Sequence, residues 1–140
     1  MKIFGIGTDI VNIKRLEKTI KKYGDKFKYK IFSQKEINYC ENKKNPGAFY
    51  AKRYAAKEAC SKALGTGIRD NVNFKNIEVS NDKYGKPLIH LKGGIDKYLR
   101  KKIRSKKYNI YLSLSDDIPW AQATVIISYK KWKKIFLQLY

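Results

Sequence analysis

Apolar residues recur along this chain with two different periods, and the change from one to the other divides it into halves. The chain opens on a strand-like stretch, Ile3 to Val11, with glycines at 5 and 7 where a neighbouring backbone or ligand would come close. Ile13, Leu16, Ile20 and Tyr23 then follow at helical spacing, and Gly24 is placed as a stop. Ser33 followed by Glu36 forms a capping box that opens a short helix through about Glu41. Residues 42–47 read as a loop. A long helix is predicted from Phe49 to Leu64, ended by Gly65 and Gly67. Its Ala51, Ala55, Ala56, Ala59 and Ala63 favour helix and leave room for a second backbone to pack closely.

The second half alternates. Residues 76–80 and 88–91 read as a hairpin around the turn at 81–85, and a short basic helix spans roughly Ile95 to Arg104. Strands are expected over Ile110–Ser115 and Ala121–Tyr129, the latter with a β-branched centre. Helices early and strands late predict an α+β fold, with a small antiparallel sheet on the long helix. The tail from Lys130 to Tyr140 carries Trp132, Ile135, Phe136 and Leu139 on one helical face, so it reads as an amphipathic helix packing on the body or on a partner. With 140 residues, the chain divides into one domain over 1–129 and a basic, aromatic extension over 130–140.

Charge and composition narrow the classes. Thirty-two basic against twelve acidic residues give a net charge of +20. Only five of the basic residues are Arg, and Lys, Asn, Ile and Tyr all have AT-rich codons, so base composition accounts for part of the excess. The rest would attract a polyanion: nucleic acid, a nucleotide ligand or an acidic protein. No apolar run reaches the ~18 residues of a membrane span. The start lacks a cleavage-type small-residue site, so a cytoplasmic protein is expected. Cys40, Cys60 and the single His90 cannot assemble an ordinary zinc site, so any metal here would take oxygen ligands.

Chemistry then concentrates on few residues. Asp9 is an acid in an apolar strand, costly unless it is hydrogen-bonded, paired or metal-bound. Glu58 and Lys62 lie one helical turn apart, and alone they read as an ordinary surface pair. Taken with Asp9 they form a hard oxygen site for Mg²⁺ with a cation for phosphate beside it, which suits displacement at phosphorus. No GxxxxGK[ST] loop is present, which disfavours a P-loop enzyme.

GIGTDIV (5–11), KRYAAKEACSKALGTGIR (52–69), GKP (85–87) and AQATVII (121–127) together resemble the holo-acyl-carrier-protein synthases, the small trimeric phosphopantetheinyl transferases. The resemblance runs over nearly the whole chain to about residue 128. It implies a Mg²⁺-dependent enzyme of fatty acid synthesis that moves the 4'-phosphopantetheine arm of coenzyme A onto a serine of acyl carrier protein. By the same resemblance Asp9 and Glu58 hold the metal, and Lys62 faces the diphosphate. Gly85, Lys86 and Pro87 border the nucleotide, Arg15 meets the carrier protein, and Glu58 or a metal-ordered water takes the serine proton. A homotrimer with active sites between subunits is implied, and neither nucleic acid nor membrane is expected as a partner. Against the family's pattern, Asn12 stands where many relatives carry an acid. Ser115, Asp116 and Asp117 include no His near a point where some relatives have one that contacts the nucleotide, which leaves open whether Asp116 replaces it. The rival reading is a small basic nucleic-acid-binding protein, which explains the charge but not Asp9.

Overall fold

The computed structural model describes residues 1–69 and 72–131. Strand β1 (Lys2–Asn12) leads into α1 (Ile13–Tyr23), where the Asn12 side chain caps the helix by accepting from the Arg15 N–H. Gly24 ends α1 as expected, but a second helix, α2 (Asp25–Ile31), follows at once. The sequence reading missed it because its seven residues hold only Phe27 and Ile31 at a four-residue spacing, too little for a periodic signal. In α3 (Gln34–Glu41), both arms of the predicted capping box are made.

Helix α4 (Pro46–Leu64) is the spine of the molecule. It starts three residues before the predicted Phe49 because Pro46 occupies the first turn, where a missing N–H is no loss. Gly65 closes it in the left-handed conformation, at φ 79°. A 3₁₀ turn (Phe74–Asn76) precedes the hairpin of β2 (Ile77–Asn81) and β3 (Pro87–Leu91). Helix α5 (Gly94–Ile103), β4 (Tyr108–Asp117) and β5 (Trp120–Tyr129) complete the described fold. The tail helix read over 130–140 falls outside the described residues from 132 onward.

The main sheet is antiparallel in the order β1-β5-β4, so the first strand pairs with the last. Helix α4 packs on β1 and β5, and the reason is compositional. A Cβ at Gly5 or Gly7 would fall inside the van der Waals surface of the Ala63 or Ala59 carbonyl oxygen, so only glycine lets helix and strand backbones touch. The small residues of α4 and the glycines of β1 are two halves of one interface. Ala51, Ala55, Ala59 and Ala63 are all buried there, with Ala121, Ala123, Val125 and Ile127 of β5.

At one point the core is ionic. Lys57 and Glu36 are fully buried and paired at 2.7 Å. The Lys57 ammonium spends its other two protons on the Phe74 and Ile77 carbonyls (2.8 and 2.7 Å). Glu36 accepts from the Ser33 and Val79 N–H groups. Every proton of the ammonium has an acceptor, which is the condition under which a buried pair is tolerated.

Candidate active site

The close fit of α4 on β1 determines which side chains meet at its edge. Tyr54, Glu58 and Lys62 follow one another at four-residue spacing, so they form one stripe of α4 beside the alanine stripe. Asp9 belongs to the strand directly beneath. The Lys62 ammonium donates to the Thr8 carbonyl (3.0 Å) and to Asp9 Oδ1 (3.1 Å), a contact spanning fifty-three residues of sequence. Asp9 and Glu58 open onto one cavity of about 380 Å³, whose wall also includes Arg15, Tyr54, Phe27 and Asn12.

The electrostatics register that proximity. Burial, and then the neighbouring Asp9 carboxylate, push the proton affinity of Glu58 up, while Lys62 and Tyr54 oppose the rise. Burial also raises Tyr54, reinforced by the charges of Glu58 and Asp9. Two carboxylates thus line one cavity, with the Lys62 ammonium on one of them, Asp9. Among the described residues no group of three His, Cys, Asp or Glu side chains gathers as a metal cage. Two carboxylates without a third suit Mg²⁺, which completes its octahedron with waters and substrate phosphates rather than with protein alone. The donor set fits that ion.

A larger hollow of about 620 Å³ lies between α1, α2 and the start of α4. It also holds two carboxylates, Glu17 and Glu41, but Glu41 is engaged by Lys28 and by the Tyr50 hydroxyl, both at 2.7 Å, and Lys14, Lys18 and Lys21 share the wall, a setting that does not favour a cation.

Of the residues singled out from sequence, Asp9, Arg15, Glu58 and Lys62 are brought together, with Lys62 reaching the group through Asp9. Gly85, Lys86 and Pro87 are not among the residues lining the cavity; Gly85 and Lys86 lie in the turn of the β2–β3 hairpin and Pro87 opens β3. Asp82 Oδ1 accepts the Tyr84 and Lys86 N–H groups, and Gly85 sits at φ 86°, where a side chain would be strained. The turn is tied to α4 by a relay: Arg53 donates to the Asn81 side-chain oxygen (2.7 Å), and the Asn81 amide donates to the Gly85 carbonyl (3.0 Å). Asn12 serves as a helix cap. Asp116 is bonded to Lys52 of α4 at 3.1 Å.

Sequence reasoning missed Tyr54 and the Arg53–Asn81 relay. Tyr54 carried a signal, since it stands one helical turn before Glu58 on the same face. The relay carried none, because its partners lie twenty-eight residues apart.

Residues 5–122 match the family model described as the 4'-phosphopantetheinyl transferase superfamily. A holo-[acyl-carrier-protein] synthase of Dinoroseobacter shibae is 42% identical over 127 residues, covering 90% of this chain and 91% of its own. The Brucella ovis protein of the same name is 46% identical over 126 residues, covering 89% and 94%. Among solved structures, the Neisseria meningitidis holo-[acyl-carrier-protein] synthase superposes with a TM-score of 0.83 at 38% identity, covering 91% of this chain and 100% of that one. The Helicobacter pylori synthase in complex with coenzyme A does so with a TM-score of 0.77 at 35% identity, covering 88% and 99%. This chain therefore belongs to the 4'-phosphopantetheinyl transferase superfamily, among the holo-[acyl-carrier-protein] synthases.

Proposed function

We propose that this chain is a Mg²⁺-dependent transferase in fatty acid synthesis. It moves the 4'-phosphopantetheine arm of coenzyme A onto a serine of an apo acyl carrier protein and releases adenosine 3',5'-bisphosphate. The observation that carries this reading is the pair of carboxylates, Asp9 and Glu58, facing one cavity from two elements with Lys62 at its edge. Similarity to synthases, one of them solved with coenzyme A, supports the donor and the acceptor.

Asp9 and Glu58 would hold the metal, which supplies charge neutralisation at the diphosphate when bound. Lys62 lies 53% exposed, so its ammonium can exchange the Asp9 carboxylate for a phosphate oxygen. The serine oxygen forms a bond to the β-phosphorus as the bridging P–O bond to the nucleotide breaks. Of this chain's own side chains on the cavity, Glu58 would take the serine proton. Gly85, Lys86 and Pro87 border the nucleotide, on a turn that the Arg53–Asn81 relay holds to α4. Asp116 is engaged by Lys52 through one carboxylate oxygen. Arg15 offers a cation at the cavity rim for the acidic carrier protein.

The active form is a homotrimer with sites between subunits. Its support is the outer face of the β1-β5-β4 sheet, where Ile6 (64% exposed), Ile10 (59%) and Tyr111 (49%) form an apolar surface that a lone monomer would leave wet. No described helix is long and apolar enough to cross a membrane, and the reaction is assigned to the cytoplasm. Residues 1–129 form the catalytic domain, with 130–140 an extension.

Incubation with coenzyme A, Mg²⁺ and an apo carrier protein, followed by intact-mass spectrometry, tests the reading. The carrier gains one phosphopantetheine arm, and EDTA abolishes the gain. An unmodified carrier in the presence of Mg²⁺ refutes it.

A further inference from the structure

Of the polar side chains on the wall of the carboxylate cavity, Asn12 caps α1 and the Thr19 hydroxyl donates to the Arg15 carbonyl at 3.1 Å. Asp9, Arg15 and Glu58 have parts in the proposed reaction. Tyr54 has none. Yet it stands one helical turn before Glu58 on the same stripe of α4, a spacing that brings the two Cβ atoms to within about 5–6 Å.

The Tyr54 ring is held from behind. It stacks on Phe74, with centroids 5.4 Å apart and planes 27° from parallel. Phe74 is itself pinned, because its carbonyl accepts from the buried Lys57 ammonium at 2.8 Å. Packing of this kind asks only for a ring, which Phe would supply. The hydroxyl needs a separate reason, since a Tyr O–H drawn out of water ordinarily finds a partner. Burial, and then the charges of Glu58 and Asp9, keep its proton in place. It is therefore a donor standing beside two acceptors.

Glu58 is the acceptor that lacks a donor of its own. Lys62 gives its ammonium to Asp9 and to the Thr8 carbonyl. Against burial and the Asp9 charge, which raise the proton affinity of Glu58, Tyr54 acts downward, as a donor to the charged carboxylate does. Carboxylates that hold a metal are themselves hydrogen-bonded, because a ligand free to swing binds its ion less well. On the reading that Asp9 and Glu58 hold the metal, we propose that Tyr54 is a positioning residue. Its hydroxyl donates to one Glu58 oxygen and fixes the carboxylate for the ion, while Phe74 fixes the ring that carries the hydroxyl.

Tyr54→Phe tests this, since it removes the hydroxyl and keeps the ring. Parent and variant are titrated with Mn²⁺ in the presence of coenzyme A, and the free ion is followed by electron paramagnetic resonance. Affinity falls about 10-fold in the variant. Thermal melts of the two metal-free proteins coincide; should the variant melt lower, the titration is run at a temperature where both are folded. In transfer assays at limiting Mg²⁺ the variant loses about 10-fold in kcat with KM for the carrier protein unchanged, and added Mg²⁺ recovers most of the rate. Parent-like Mn²⁺ affinity in Tyr54→Phe overturns the inference and leaves the shared-ion reading intact. A rate loss that excess Mg²⁺ does not recover also overturns it, because the hydroxyl then acts on substrate rather than through Glu58. A parent that binds no Mn²⁺ removes the shared-ion reading, and this inference with it.

Discussion

Helix α4 carries three lysines that each meet a carboxylate from a distant part of the chain, and two of them, five residues apart, stand in opposite surroundings. Lys57 and Glu36 are wholly excluded from water, and every proton of the ammonium is accounted for. Lys62 and Asp9 are 53% and 17% exposed, and a second carboxylate, Glu58, stands on the same cavity with no lysine of its own. The first pair is closed: it joins α3, α4, the 3₁₀ turn and β2, and has no capacity left for a ligand. The second is open: it stands at a cavity whose wall also carries Glu58 and Arg15. The same residue types on one helix thus make a saturated pair in the core and an open pair at the edge of a cavity.

The sharpest way to break the comparison is to truncate the closed pair. Lys57→Ala strands Glu36 in the core and should remove about 3–5 kcal/mol of stability, a large share of the total for a domain of this size. Denaturant unfolding would show it, and Glu36→Gln combined with Lys57→Met should recover much of the loss. Lys62→Ala should leave the unfolding curve almost unchanged. Its effect belongs in turnover, where losing a phosphate contact lowers kcat by on the order of 10²-fold. Raising ionic strength should act on KM for the carrier protein more than on kcat, because screening weakens encounter with an acidic partner; initial rates across a salt series would measure the split.

The smallest effect is the most diagnostic of an open site. Glu58 has its proton affinity raised by burial and by Asp9, so the folded state holds that proton to higher pH than the unfolded state, whose Glu titrates near ~4.3. Stability is therefore lost as pH rises through the interval above that value. Glu58→Gln removes the loss: thermal melts should show the variant more stable than the parent at neutral pH, with the gain vanishing toward pH ~4. Lys57→Ala, by contrast, should be destabilising at both ends of that range.

Much of this was legible in the sequence, for identifiable reasons. Alanines at four-residue spacing and glycines in an opening strand are local signals, and the structure shows them as one interface. Asp9 stood out because an acid in an apolar strand has few explanations. Lys57 did not, since a lysine in a helical KEA run reads as surface, and its burial depends on Glu36, Phe74 and Ile77 meeting around it. The pairing of β1 with β5 likewise joins the two ends of the fold, and no local pattern encodes it. Helix α2 was too short for periodicity, and Asn12 and Asp116 show as departures in sequence but as a helix cap and an ion-pair partner in space.

The central claim is that Asp9 and Glu58 share one divalent cation. Titration of the protein with Mn²⁺ in the presence of coenzyme A, read by electron paramagnetic resonance of the free ion, measures it directly. One Mn²⁺ per site is predicted for the parent, with affinity falling at least about 10-fold in Asp9→Ala and in Glu58→Ala alike. Parent-like Mn²⁺ binding in either variant would contradict a shared site.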